Sequence, residues 1–300
     1  MNTMQALCIK LVGQLDKEDY EKISALARLC GEMDHVALKL ELDYKLAAAS
    51  AADADGINEF MAFDGETLVG YVGLCAFGGA SSPFEATGMV HPDYRRRGIF
   101  TALHERVIEE CVRRKPAGLL LLCDGKSAAG QAFIKKTGGI YRFSEYEMHL
   151  KREDSAQDGA RLCGVSLHKA TNADAREVAR QNAVYWGGSL EEEAVSLLPE
   201  EEEKRGLVIY LAKKGGEVVG KVHLQNAAGT GGIYGLGVLP ERRGKGYGRA
   251  ILLLAIEKLR EAGAREIMLQ VEAKNATALG LYQSCGFSET STMDYFEMGY

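Results

Sequence analysis

The strongest constraint on the fold is a nine-residue sequence that occurs twice, far apart in the chain. Residues 92–100 read PDYRRRGIF and residues 240–248 read PERRGKGYG, an offset of 148 residues (240 minus 92). Each copy follows a short apolar run and precedes a segment with the periodicity of an amphipathic helix. A repeat of this length is typical of a duplicated structural unit.

The similarity extends beyond the turn in both directions. At the offset of 148, residues 126–127 match residues 274–275. Near the ends the offset drifts to 150, where residues 67–70 match residues 217–220. A hairpin loop of different length in the two copies would produce this two-residue change.

The repeat predicts two domains of one fold. A chain of 300 residues suits two domains of ordinary size. We expect a first domain over 1–150, a polar, turn-rich linker over 151–161 and a second domain over 162–300. Strand and helix patterns alternate in the same order in both halves, which predicts an α/β (α+β) fold.

Composition excludes several classes of protein. The chain is 46% hydrophobic and 26% charged, as in ordinary globular proteins, and its net charge of −6 argues against a nucleic-acid partner. It has no apolar run long enough for a membrane span and no signal-peptide pattern at its start. Seven cysteines without a CxxC or Cys/His cluster predict a reducing, cytoplasmic setting and no metal site.

The second copy of the turn has the features of an anion site. Glycines allow close backbone approach and positive φ, and the N-terminus of the following helix favours a phosphate group. Three cationic residues surround it, namely Arg243, Lys245 and Arg249. The run matches neither the P-loop nor the GxGxxG fingerprint, so a nucleotide-binding protein is disfavoured.

A second motif follows about 30 residues later, with Asn275, Tyr282 and Gly286-Phe287 at fixed spacing. Together, the Arg-x-x-Gly-x-Gly turn and this motif closely resemble the GCN5-related N-acetyltransferase (GNAT) superfamily. The resemblance covers nearly all of residues 165–300 and, through the repeat, extends more weakly over 1–150. It implies two tandem GNAT-like domains, each with a mixed, mostly antiparallel central sheet flanked by helices.

The resemblance also implies an activity and its residues. Such an enzyme transfers an acetyl group directly from acetyl-CoA, its co-substrate, to the amine of a small molecule. Tyr282 would be the general acid and would face the thioester sulfur, and Asn275 would contact the pantetheine arm. The coenzyme would also contact the strand before the turn and the turn itself, that is Leu236, Gly237, Val238, Arg243, Gly244, Lys245, Gly246, Tyr247, Gly248 and Arg249.

The general base and the acceptor site stay open. Gln270 occupies a strand position that often carries a glutamate in relatives, and His223, Glu272 and Tyr234 are possible substitutes. An acceptor wall could form from Tyr185, Trp186 and the acidic runs 191–193 and 200–203. The alternative is that these acidic runs are simply a solvated helix face.

The first half has lost the residues that matter for this chemistry. Arg95 and Gly98 are retained, but Phe100 replaces the last glycine of the turn. Ser127 stands at the position of the asparagine and Ile134 at that of the tyrosine. We therefore predict a degenerate first domain and an active site in the second. A non-catalytic acyl-CoA-binding sensor is the alternative, and the sequence leaves the acceptor and the oligomeric state open.

Overall fold

The computed structural model describes residues 7–48, 56–76, 82–151, 163–187, 197–227 and 229–300. The chain forms two compact units, of which one comprises Met1–Ser144 and Ser291–Tyr300 and the other Glu145–Thr290. Apart from its first residue, the predicted linker over 151–161 lies outside the described residues. No helix among the described ranges is long and apolar enough to cross a membrane.

The first half of the chain alternates strands and helices in the predicted order. Its strands are β1 (Cys8–Val12), β2 (Glu59–Asp64), β3 (Thr67–Cys75), β4 (Phe84–Val90), β5 (Leu119–Asp124) and β6 (Ile140–Leu150). Its helices are α1 (Lys17–Asp34), α2 (Leu42–Ala48), α3 (Ile99–Arg114) and α4 (Ala128–Lys136).

The second half repeats this order. Its strands are β7 (Val165–Lys169), β8 (Leu207–Lys214), β9 (Glu217–Ala227), β10 (Thr230–Val238), β11 (Glu266–Glu272) and β12 (Phe287–Met298). Its helices are α5 (Ala175–Trp186), α6 (Pro199–Lys204), α7 (Tyr247–Glu261) and α8 (Ala276–Ser284). In both halves a single turn of 3₁₀ helix precedes the repeated glycine turn, at Pro92–Tyr94 and Pro240–Arg242.

The first unit has a mixed, mostly antiparallel sheet. Strands β1 to β4 pair antiparallel in sequence order, and β4 pairs parallel with β5. The far edge of β5 pairs with the last strand of the chain, since Met293 to Met298 of β12 lie opposite Asp124 to Leu119. Helix α3 packs its buried Leu103, Val107 and Cys111 into the core of this unit.

The second unit has the same sheet and takes its sixth strand from the first half of the sequence. Strands β7 to β10 pair antiparallel, and β10 pairs parallel with β11. The far edge of β11 pairs antiparallel with the end of β6, over residues 145–149. Each unit therefore completes its sheet with a strand from the other half, a connection that the repeat alone does not specify.

Helix α7 supplies the core of the second unit. Its buried residues include Ala250, Ile251, Ala255 and Ile256, whose spacing forms one apolar helix face. They pack in one cluster with side chains of β9, β11 and β6. Burial of each large aliphatic side chain contributes about 1.5–3 kcal/mol, so this helix is firmly fixed to one face of the sheet. The predicted fold class is confirmed.

Candidate active site

The glycine turn at 243–248 leads directly into the N-terminus of α7. The Arg243 Nε donates to the carbonyl of Val238 at 3.1 Å, which ties the turn to the end of β10. Gly244 and Gly246 have φ of 74° and 77°, a conformation that L side chains rarely adopt. Gly246 is the N-cap and brings no capping side chain, and the first bond into the helix comes from the Ala250 amide at 3.1 Å. The amides of the first helical turn are therefore available to an anion.

Strand β10 parts from β11 beside this turn. Their parallel pairing ends at Ile233 opposite Leu269, although β10 continues to Val238. On its other edge, β10 has a one-residue shift in register with β9 between Tyr234 and Gly237. A bulge of this kind bends a strand and re-aims its backbone groups. It leaves the backbone of 236–238 outside the β11 ladder, where an N–H could reach a ligand carbonyl.

The turn, the strand end and helix α8 meet at one point. A Cβ built on Gly248 would lie 3.4 Å from Leu281 Cδ2 and 3.7 Å from Val238 Cγ2. Arg249 Nη1 donates at 3.0 Å to both the carbonyl and the hydroxyl oxygen of Ser284, near the end of α8. The two sequence motifs, 30 residues apart in the chain, are thus adjacent in space. In this structure Arg249 ties α7 to α8.

The other two long side chains of the turn differ in exposure. Lys245 is exposed, and its carbonyl accepts a weak hydrogen bond from Cys163 Sγ at 3.9 Å. Tyr247 is buried in the core cluster, with the Lys214 ammonium 5.2 Å from its ring centre. Lys245 is therefore placed to meet an anionic ligand, whereas the ring of Tyr247 mainly supports the helix.

Helix α8 positions the predicted asparagine and tyrosine. Asn275 is its N-cap and accepts a hydrogen bond from the Ala278 amide at 3.1 Å. Its Nδ2 group is not needed for this cap and can donate to a ligand. Tyr282 is buried and packs edge-on against Phe287 at a ring distance of 6.2 Å. Burial raises the pKa of Tyr282 to about 12, so the phenol keeps its proton at neutral pH and can donate it.

His223 lies beside the bulge but its imidazole is already engaged. Its Nε2 is 3.0 Å from the Nζ of Lys221, which is fully buried and also donates to the Gly235 carbonyl at 3.3 Å. Burial, and secondarily the Lys221 charge, hold the pKa of His223 well below its usual range. The ring is therefore neutral and its Nε2 accepts from an ammonium group. This geometry makes His223 a support for the bulge rather than a proton acceptor.

The structure also shows where the other three candidate bases lie. Glu272 forms an ion pair with Lys274 at 2.7 Å. The Tyr234 hydroxyl points to Met268 Sδ at 3.9 Å, along the neighbouring strand. Gln270 is the first β11 residue beyond the last pair with β10, and so lies at the point where the two strands part.

Aromatic side chains of α5 cover the sheet face on the bulge side. The Tyr185 ring lies against Gly237, where an added Cβ would be only 2.1 Å from Tyr185 Cε2. Trp186 is 60% exposed, with Lys221 Nζ 4.5 Å from its ring centre. Residue 237 must therefore be glycine for this ring to pack on the bulge.

The acidic runs do not form an acceptor wall in the part of the chain that is described. Residues 191–193 lie outside it. The carboxylates of the second run each have a protein partner, pairing Glu200 with Asn172, Glu201 with Lys204, Glu202 with Arg205 and Glu203 with Lys169. These contacts favour the solvated helix face. No group of three or more metal-ligating His, Cys, Asp or Glu side chains occurs among the described residues.

The first unit keeps the backbone of the glycine turn. Arg95 Nε donates to the Val90 carbonyl at 3.1 Å, matching the bond made in the second unit. Arg96 and Gly98 have φ of 64° and 81°, so a non-glycine residue holds the first positive-φ position. The guanidinium of Arg95, however, forms a bidentate pair with Asp34 at 2.6 and 2.8 Å.

Other parts of the site are missing from the first unit. Strand β4 pairs with β3 without any shift in register, so it has no bulge. Phe100 packs edge-on against Phe133 at a ring distance of 4.7 Å, where the second unit has Gly248 beside a leucine. Ile134 is buried at the tyrosine position. The first unit thus has the same turn backbone as the second, but its β4 lacks the bulge that re-aims backbone N–H groups in β10.

Comparison with known proteins finds relatives that match nearly the whole chain. A mycothiol acetyltransferase of Amycolatopsis mediterranei is 28% identical over 295 residues, which cover 93% of this chain and 95% of that protein. A GCN5-related N-acetyltransferase structure from Sphaerobacter thermophilus has a TM-score of 0.74 at 18% identity, over 98% of this chain and 96% of that one. A tandem GNAT protein from the clavulanic acid biosynthesis pathway has a TM-score of 0.76 at 19% identity, over 98% and 99%.

The sequence model of the acetyltransferase (GNAT) family matches both halves of the chain, at residues 21–138 and 175–287. Structural likeness at these identities establishes the fold, and the family match extends over most of the chain. Members of the family use acetyl-CoA as the acetyl donor. The chain is therefore an acyltransferase that belongs to the GNAT acetyltransferase family, as a tandem member with two such units.

Proposed function

We propose that the chain transfers an acetyl group from acetyl-CoA to the amine of a small molecule, and that the second unit does so. One observation carries this assignment: the β10 bulge, the parting from β11 and the buried Tyr282 occur together beside the glycine turn in the second unit. The first unit has the turn without the bulge or the tyrosine. Oxyanion stabilisation by a fixed N–H is a large contribution to acyl transfer, so its absence matters.

Different residues of the second unit have different roles in this reaction. The amides at the start of α7, with Arg243 and Lys245, hold the pyrophosphate of the coenzyme. The backbone of 236–238 binds the thioester carbonyl and stabilises the negative charge that develops on its oxygen. Asn275 donates to the pantetheine arm, and Tyr282 protonates the departing sulfur. Bound acetyl-CoA supplies the activated acetyl group.

The relatives support a small-molecule acceptor without fixing it. Proteins named mycothiol acetyltransferase match at 26–29% identity over most of this chain. At this distance an acceptor pocket can differ while the coenzyme site stays similar. We therefore propose a small amine as the acceptor class and a cytoplasmic setting, as the composition predicts.

A matched pair of substitutions tests which unit acts. Coenzyme A release and amide formation would be measured with acetyl-CoA and a panel of small primary amines. Arg243→Ala should raise the KM for acetyl-CoA about 10- to 150-fold, because a hydrogen bond to a charged group contributes about 1.5–3 kcal/mol. Arg95→Ala, at the equivalent position, should leave that KM unchanged because its guanidinium binds Asp34. The reverse result would place the active site in the first unit.

The same panel distinguishes the alternative. A non-catalytic sensor would bind acetyl-CoA tightly in calorimetry and release no coenzyme A with any amine. An enzyme shows release that depends on one or a few acceptors.

A further inference from the structure

The sheet of the second unit includes a strand from the first half of the sequence. In β6, Tyr146, Met148 and Leu150 pack into the core cluster beneath α7. Because side chains alternate along a strand, Glu147 and His149 lie on the opposite face. Both are about one-third exposed, at 31% and 32% for their side chains.

The register places this pair near the point where β10 and β11 part. Glu147 lies directly opposite Gln270, and His149 opposite Met268, in the antiparallel ladder between β6 and β11. Directly opposed side chains have Cβ atoms roughly 4.5–5.5 Å apart. Gln270 follows the last residue of β11 that pairs with β10, so Glu147 stands beside the point where the two strands part.

Local contacts hold the Glu147 carboxylate in place. Its Oε1 is 3.0 Å from Nε2 of His149, two residues along the same face. The Thr290 hydroxyl donates to the Glu147 carbonyl at 3.2 Å, which fixes the backbone from β12. A carboxylate that is about one-third exposed and oriented by an imidazole is suited to receive a cation.

Two of the candidate bases named above are engaged elsewhere. The His223 Nε2 accepts from Lys221, and Glu272 pairs with Lys274. Gln270 is an amide and cannot take a proton. Glu147 is thus a carboxylate beside the point where β10 and β11 part, and its side-chain partner among the described residues is the His149 imidazole.

We propose that Glu147 binds the ammonium group of the acceptor and takes its proton, with His149 as a positioning residue. This inference rests on the proposed acetyl transfer in the second unit. Position 270 on β11 is a glutamine, and Glu147 supplies the carboxylate from β6, the neighbouring strand of the sheet. It also gives the first half of the sequence a role in the active site of the second unit.

The protons and bonds balance as follows. Glu147 takes one proton from the ammonium, and the nitrogen lone pair forms a C–N bond with the thioester carbon. Tyr282 hydrogen-bonds the sulfur as the C–S bond breaks and gives it a proton. The second proton of the nitrogen restores Tyr282, and Glu147 releases its proton to solvent. One ammonium and one thioester yield one amide, one thiol and one released proton.

A comparison of charged and uncharged nucleophiles tests this role. Wild type, Glu147→Gln and the control Glu289→Gln, an exposed residue of β12, would be assayed with ethanolamine, glucosamine and hydroxylamine. Hydroxylamine is largely unprotonated at neutral pH and needs no base before it attacks. Amide and hydroxamate products would be measured by mass spectrometry.

Glu147→Gln should lower kcat/KM for the ammonium acceptor at least about 100-fold, the lower range for general acid–base catalysis. It should change hydroxylamine transfer and the KM for acetyl-CoA less than about threefold. His149→Ala should lower the ammonium-to-hydroxylamine ratio in the same direction, and His149→Gln, which can still donate to the carboxylate, should restore part of it. If Glu147→Gln does not fold, the His149 variants measure the same ratio.

An equal loss for both classes of nucleophile, or no loss for either, would overturn the role of Glu147 and leave acetyl transfer intact. A wild-type protein that releases no coenzyme A with these nucleophiles or with any amine of the wider panel would instead overturn the proposed function, and this inference with it.

Discussion

Replacing Tyr282 by phenylalanine tests how the departing sulfur is stabilised. The side chain is 8% exposed and burial raises its pKa to about 12. A thiol has an ordinary pKa of about 8.5. Complete proton transfer from this phenol to a free thiolate is therefore uphill by about 3.5 pKa units, or about 5 kcal/mol. Tyr282 must act first by a hydrogen bond to the charge that develops on sulfur, and the proton moves later.

This argument sets the magnitude. A hydrogen bond to a charged group contributes about 1.5–3 kcal/mol, which corresponds to about 10- to 150-fold in kcat. Among the described residues no side chain or backbone group bonds the Tyr282 hydroxyl, so its removal should change the free energy of unfolding by less than about 1 kcal/mol. The KM for acetyl-CoA should change little, because the ring keeps its contact with Phe287.

The assay is coenzyme A release under saturating acceptor, with urea unfolding as the measure of stability. Tyr210→Phe is the matched control, since Tyr210 lies on β8 of the same unit, which β9 separates from β10. Since burial raises the pKa of Tyr282, wild-type kcat should show no loss from tyrosine ionisation below about pH 10. A decrease in kcat of less than about threefold for Tyr282→Phe would refute contact with the sulfur. A basic limb below that pH, absent in Tyr282→Phe, would refute the effect of burial.

Two further predictions concern equivalent caps and a buried ion pair. Asn275→Ala and Ser127→Ala each remove a helix N-cap and should lower the free energy of unfolding by about 0.5–2 kcal/mol. Of the two, Asn275→Ala alone should raise the KM for acetyl-CoA. Equal KM values in both variants would contradict a ligand contact by Asn275. In the first unit, Lys45 and Glu59 are buried 3.0 Å apart. Lys45→Met should lower the free energy of unfolding by about 3–5 kcal/mol, because it leaves the Glu59 carboxylate buried without its ion-pair partner. Burial raises the pKa of Glu59, and the Lys45 charge lowers it. Without Lys45, the pKa of Glu59 in the folded state should therefore rise further above 4.5. The stability of the variant should then fall as the pH rises from about 4.5 through that folded-state pKa. Urea unfolding at about pH 5 and about pH 8 measures this, and a larger loss at the acidic pH would refute it.

Features that depend on neighbours in the chain could be predicted from sequence. The glycines at 244 and 246 do adopt positive φ, and Asn275 does begin a helix. Both follow from short-range backbone sterics and hydrogen bonding within a few residues. The order of strands and helices followed from periodicity for the same reason, whereas the fold class was implied by the resemblance of the two motifs to the GNAT superfamily.

The first unit shows where residue-level comparison has limits. Arg96 replaces a glycine of the turn and still holds φ at 64°, so the turn backbone is conserved in shape despite the substitution. The difference that matters lies in β4, which lacks the bulge of β10. A bulge is a property of the pairing between two strands and leaves no fixed residue pattern in either one.

The sequence by itself determined the duplication, the glycine turn and the identity of the helix that carries Asn275 and Tyr282, because each depends on residues at short, fixed spacing. Only the tertiary structure decided that β10 parts from β11 after Ile233, that Lys221 occupies the Nε2 of His223, and that Glu147 lies opposite Gln270. These depend on which strands pair and in which register. That choice is made by burial of the sheet faces across distant segments, so a strand from one half of the chain can complete the sheet, and the candidate site, of the other.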